Sequence, residues 1–262
     1  MNLPLLKHLV KRNWKLWSIF AALLLFYLVV LIAIYDVMKD AEEMMAAFGP
    51  IGELYGGMQG LETAMTYVSS FYFKELVFMF SLIYIVMMSH QLVFRAVDNT
   101  SISNSLANGI SRKNYITTTL VFFMGSVFAL FLLLFLAGGG LLFMWGSYNI
   151  ALYFNVILST ALIAMSVAAI SFFFSAAFAG TKWGAPLLIG IPIMFVVFSM
   201  LSGMADSLNF LQWLTPFGWI DSLAISRGTF DLWWMWDIIS IGIIATAYFA
   251  AQHIFKRKQL SI

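Results

Sequence analysis

Apolar residues run almost unbroken through six stretches of the chain, and polar residues collect between them. A run of about twenty apolar residues crosses a bilayer as a helix. The stretches cover roughly 17–35, 76–94, 115–137, 150–179, 185–204 and 235–255. They predict an all-α polytopic membrane protein with six transmembrane helices, because a helix satisfies every backbone group inside its own segment. The second stretch carries Ser89, His90 and Gln91 near its end, and Gly138, Gly139 and Gly140 follow the third. The fifth contains Pro186 and Pro192. A proline lacks the N–H that the helix ladder needs, so this pair predicts a bend that helps the helix move. The first stretch does not read as a cleaved leader: it is long, lacks a small-residue cleavage site, and runs into Tyr35 and Asp36.

The segments between the spans have patterns of their own. In residues 1–16, Lys7, Lys11 and Lys15 recur every four residues, beside Arg12 and a stripe of Leu6, Val10, Trp14 and Trp17. This predicts an amphipathic helix lying at the membrane surface, as an anchor or as an elbow that also touches a partner. Residues 36–75 are expected to form a large outer loop, rich in acids and methionines and broken by Gly49-Pro50 and Gly56-Gly57. In residues 95–113, Asp98 or Asn99 can cap a short helix and Gly109 can end it in the left-handed conformation. Ile102, Leu106 and Ile110 recur at four-residue spacing there. A capped helix with a narrow apolar edge suggests a docking knob, although a polar connector with incidental aliphatics has the same spacing. Residues 205–233 are too apolar for a free loop and are interrupted by Pro216 and Gly218. A re-entrant or surface hairpin belted by Trp213 and Trp219 fits.

Composition narrows the function classes. Of the 262 residues, 62% are hydrophobic and only 10% charged, against about 25% charged in an ordinary soluble domain. That excludes a soluble enzyme, a disordered chain and a nucleic-acid binder. Eleven of the 14 basic residues fall on one side of a six-span arrangement, which leaves Lys39, Lys74 and Arg227 on the other. By the positive-inside rule, both termini are expected in the cytoplasm. There is no cysteine, and His8, His90 and His253 are too scattered for a metal site. No phosphate-binding loop is present, so the chain is not expected to hydrolyse ATP. No charged residue falls near the middle of a span, which argues against proton or sodium coupling and against an intramembrane protease.

Four stretches together resemble the ABC-2 type permeases, the membrane subunits of bacterial ATP-binding-cassette exporters. Arg12-Asn13-Trp14-Lys15-Leu16-Trp17, with Tyr35-Asp36 closing the first span, resembles a Gram-positive subgroup. Val97-Asp98-Asn99-Thr100-Ser101 through Ile110-Ser111-Arg112-Lys113 is similar to the family's coupling loop. Asn99 stands where the family often has Gly, and Gly109 where it often has Pro. Leu214-Thr215-Pro216-Phe217 followed by Asp221 is similar to the outer motif before the last span, and Phe255-Lys256-Arg257-Lys258-Gln259-Leu260 to the usual tail.

The resemblance implies one transmembrane domain over 1–262, in the bacterial cell membrane, acting as half of a transporter. A second permease subunit, identical or not, would complete it. Two copies of a cytoplasmic ATPase subunit would bring ATP and magnesium, with no cofactor in this chain. Asp98, Asn99, Ile102, Leu106, Ile110 and Arg112 would couple to the ATPase, with Lys7, Lys11, Arg12 and Lys15 alongside. Phe80, Tyr84 and Met88 on the second span, and Ile193, Val197 and Met200 on the fifth, would line the pathway. Their apolar character suggests an amphipathic or hydrophobic cargo, such as an antimicrobial peptide, a peptide toxin or a drug. The competing readings are a non-transporting immunity or assembly protein and a channel.

Overall fold

The computed structural model describes residues 2–46, 60–98, 109–144, 148–202 and 206–257. Among them there are helices, 3-10 turns and connecting segments, and no strand. Helix α1 (Leu3–Ala33) leads into α2 (Tyr35–Ala46). Helix α3 (Ala64–Val97) is followed by α4 (Arg112–Met144), α5 (Ile150–Phe178) and α6 (Gly184–Ser202). Two 3-10 segments, Asp206–Leu214 and Pro216–Gly218, then precede the short α7 (Ser222–Arg227) and the closing α8 (Trp233–Arg257).

Five of these helices, α1, α3, α4, α5 and α8, are long and apolar enough to cross a membrane. The fifth expected span corresponds to α6, which has 19 residues and a shorter apolar run, Pro186–Ser199. Pro186 is only the third residue of α6, where a backbone N–H has no partner within the helix, so it leaves the ladder intact. Pro192 alone is interior. Of the two prolines expected as a hinge, only Pro192 lies where it removes a donor from the helix ladder.

Helix α5 is the hub. In its most apolar window 72% of residues are buried, against 28% for α1 and 17% for α8. Its buried face is rich in small side chains, among them Ala161, Ala164, Ala168, Ala169 and Ala176. Small residues let neighbouring helices approach closely, which is how helices associate where no hydrophobic effect drives them together.

Three boundaries depart from the sequence expectation. The amphipathic start is not a separate helix, because α1 continues without a break from Leu3 to Ala33. Pro4 sits in its first turn and no later helix breaker interrupts it. Its first half nevertheless runs obliquely. The Asn2 backbone N–H donates to Thr118 Oγ1 (2.9 Å) and Trp17 Nε1 to the Ser126 carbonyl (3.0 Å). These contacts lie about 22 Å apart along α1 but only about 12 Å apart along α4, at 1.5 Å per residue.

The outer loop is also narrower than 36–75. Residues 64–75 belong to α3, started by a reciprocal capping box between Thr63 and Thr66, and they bury Val68, Tyr72 and Phe73. Within α3, Val68–Val77 and His90–Phe94 are π-helical. Finally, the glycine triplet does not end the third span. Helix α4 continues to Met144, and Gly138 lies where a Cβ would fall 2.0 Å from the Tyr153 hydroxyl oxygen. The glycine is a packing notch rather than a stop.

The expected hairpin before the last helix has a defined path. Asp221 Oδ1 caps α7 by accepting from the N–H groups of Leu223 (3.0 Å) and Ala224 (3.2 Å). Gly228 ends it at φ +71°. Trp213 and Trp219 both pack on Trp236 of α8, with ring centroids at 5.5 and 5.3 Å.

Candidate functional site

One end of the bundle holds the start of α1 and the end of α8. There Tyr115 stacks on Phe255 at 6.4 Å. Lys7, Lys11, Arg12 and Lys15 are exposed along α1, while Leu5, Leu9 and Asn13 face inward. This basic end also receives both arms of the α3–α4 connection. Its first arm is the helical turn Arg95–Asp98. Its second begins at Gly109, which has φ +82°, the left-handed conformation expected there. Ile110 packs against the core, and Ser111 Oγ caps α4 by accepting from the Asn114 N–H (3.2 Å). Arg112 is half-buried. Asn99, Ile102, Leu106 and the side chain of Asp98 lie outside the described residues.

The α5–α6 turn closes against the first arm. Gly180 has φ +79°, and a Cβ there would lie 3.8 Å from Val97. A Cβ on Gly184 would fall 2.2 Å from the Phe94 ring. Gly180 supplies the left-handed turn, and Gly184 leaves the room that lets the turn sit on the end of α3. Phe94, Gly180 and Gly184 were not singled out from sequence, and Val97 only as the first residue of the coupling-loop motif. The only sign was Gly180-Thr181-Lys182-Trp183-Gly184, a short polar interruption between two apolar runs.

The pathway candidates divide. Tyr84 and Met88 are fully buried within the subunit. Tyr84 OH donates to Ser126 Oγ (2.8 Å), which donates to the Phe123 carbonyl (2.7 Å), and Phe20 meets the Tyr84 ring edge-on at 5.5 Å. These groups belong to the packing of α3 on α1 and α4. Phe80 is half-buried and stacks on Tyr27 at 5.3 Å. The open face of α3 carries Met79, Ile83 and Met87 instead, at 44%, 43% and 40% exposure. On the adjacent α6, Ile193 and Val197 are exposed, as is Ile189; the side chain of Met200 lies outside the described residues.

At the opposite end, Arg227 at the end of α7 forms a hydrogen-bonded ion pair with Glu62, just before α3. Burial alone would raise the Glu62 pKa. A backbone hydrogen bond, the Arg227 guanidinium and the Thr66 hydroxyl outweigh it and hold the carboxyl below its ordinary value. The pair therefore contributes stability above the usual carboxylate range and loses it as pH falls through the depressed value. Deeper in the α5–α8 seam, Asp237 Oδ2 accepts from Ser159 Oγ (3.1 Å).

Among the described residues, no three His, Asp or Glu side chains gather into a metal site. Comparison with curated proteins and with solved structures returns no match. The family model for an ABC-2 family transporter protein matches residues 6–260. That family consists of membrane permeases that work with an ATPase carried by a partner subunit. A bundle of long apolar helices with nearly its whole length under that match is a multi-pass membrane protein, and the chain belongs to the ABC-2 transporter family.

Proposed function

We infer that the chain is the membrane half of an ATP-driven exporter, with α6 as a sixth span and the basic end in the cytoplasm. The observation that carries the reading is the seating of the two described ends of the α3–α4 connection. One arm ends on Val97 against Gly180, and the other starts at Ile110 against the core. A force applied to residues 98–110 would pass to α3 and, through Phe94 and Gly184, to α6. The cluster of exposed lysines on α1 and the positive-inside rule support the orientation.

In this reading Met79, Ile83 and Met87 of α3, with Ile193 and Val197 of α6, face the partner permease and the cargo. They replace Tyr84 and Met88. Their apolar character favours an amphipathic or hydrophobic cargo, a peptide or a drug.

Co-purification with a soluble ATPase subunit is the test. The variant Ile102→Asp/Leu106→Asp is expected to abolish that association while the permease stays folded. Equal binding by the double variant would reject the docking assignment, and a chain that recruits no ATPase at all would favour an immunity or assembly protein. The hinge can be tested separately. Pro192→Ala restores a ladder donor within α6 and is expected to reduce transport severalfold, whereas Pro186→Ala, in the first turn, should leave it unchanged. Transport assays on reconstituted protein distinguish the two.

A further inference from the structure

Three segments distant in the chain enclose an open pocket of about 520 Å³ at the end opposite the termini. Glu62 lies just before α3 and Thr66 in its first turn, Tyr148 and Asn149 lie just before α5, and Ser226 and Arg227 end α7. The volume falls in the range of small-molecule sites. The chemistry is two-signed. Glu62 presents a carboxylate and Arg227 a guanidinium, with side chains 54% and 36% exposed. Arg227 spends one N–H group on Glu62, and the rest of its fork has no partner among the described residues. Asn149 Oδ1 is occupied by the N–H groups of Ala151 (3.0 Å) and Leu152 (3.3 Å), so its amide NH₂ remains as a donor. The Tyr148 ring adds a flat apolar wall, held edge-on against Tyr153 at 5.7 Å, and Met65 adds an apolar side chain.

We propose that this pocket binds a small ammonium–carboxylate zwitterion of about dipeptide size, with its ammonium on Glu62 and its carboxylate on Arg227 and Asn149. An exposed ion pair contributes little to stability, so a ligand that gives each member a new partner of opposite sign displaces it at small cost. Arginine's planar fork suits a carboxylate. The pocket also opens to water rather than to lipid. The exposed Lys74 and Glu75 are charged residues on the wall of α3, and they lie somewhat under about 15 Å below its start, because 1.5 Å per residue holds for an α-helix and Val68–Val77 is π-helical. A phospholipid headgroup would therefore sit well beneath the pocket. The site stands whether or not the chain exports peptides, because it uses neither the coupling segment nor the α3–α6 face.

Calorimetric titration of the full-length protein in nanodiscs tests this with four probes: Ala-Phe, its N-acetyl form, its C-terminal amide, and phosphoethanolamine. Ala-Phe should bind, and each capped form at least tenfold more weakly. E62Q should remove the penalty for acetylation, and R227Q the penalty for amidation, a pattern that simple destabilisation does not produce. Both side chains are exposed, and an unchanged melting temperature verifies the fold. If either variant failed to fold, the capped peptides would still decide on the native protein. No binding of Ala-Phe, equal binding of the capped forms, or tighter binding of phosphoethanolamine would each overturn the proposal, the last by assigning the pocket to lipid headgroups.

Discussion

Gly138→Ala is expected to destabilise the protein by roughly 1–3 kcal/mol, the usual cost of overpacking a tight interior. A single methyl group is enough because the space already belongs to Tyr153. The added carbon would lie 2.0 Å from the hydroxyl oxygen and 3.3 Å from a Leu28 methyl. Tyr153 has little room to retreat. It is fully buried, its hydroxyl donates to the Leu134 carbonyl (2.9 Å), and its ring stacks on Phe135 at 5.8 Å and meets Phe73 edge-on at 6.0 Å. Gly125 and Gly140 in the same helix have nothing within 4 Å of the corresponding position. Alanine at either should instead be neutral or stabilise by about 0.5–1 kcal/mol, through lower backbone entropy in the unfolded chain. Thermal unfolding in detergent should separate the three variants. Tyr153→Phe should relieve part of the Gly138→Ala defect, since the nearest atom then lies 3.1 Å away. Additive losses in the double variant would show that the clash is not the cause.

The second large effect is expected at the α5–α8 seam. Asp237 is 6% exposed and Ser159 is fully buried. Asp237 Oδ1 has no protein partner, and neither does Ser240 Oγ three residues along the same helix face. Ser159→Ala removes the hydroxyl that serves Oδ2 and leaves a buried carboxyl without a donor from the protein. The cost should be about 1–3 kcal/mol. Removing both members is different in kind. Ser159→Ala/Asp237→Leu eliminates the group that needs solvating, and should be more stable than Ser159→Ala alone. Unfolding measurements on the two single variants and the double variant give the coupling directly. A double variant less stable than either single would indicate that the carboxyl serves the packing of α8 through another contact.

The helices themselves were legible because apolar runs of twenty residues have few other readings. Their facing was not. In a soluble helix the polar stripe marks the outside, but in α3 both faces are apolar, and Tyr84 and Met88 cannot be told from Ile83 and Met87 by hydropathy. Only packing separates them. The glycines at 138–140 misled because in water glycine usually ends a helix, whereas between close-packed helices it makes room for a neighbour. Residues 64–75 read as loop because acids and glycines lie just before them. The Thr63/Thr66 capping box and the helical spacing of Ala64, Tyr67, Val68 and Tyr72 were the signal for a helix start. The Glu62–Arg227 pair was out of reach of the sequence. Its members are 165 positions apart, and only the fold brings them into one pocket with Asn149.

Because α5 is the hub, the order of synthesis matters. The first three long helices leave the ribosome before the element they close upon exists, and α4 meets α1 along a seam that runs from Asn2 to Leu28. A nascent chain released before Ile150 would hold α1, α3 and α4, joined by contacts such as Tyr72 on Leu24 and Tyr84 on Ser126, but without the helix that buries their common inner face. Tyr72 and Tyr84 of α3 already find partners on α1 and α4, at the Leu24 carbonyl and Ser126 Oγ, so what waits for α5 is the remaining face of this three-helix group.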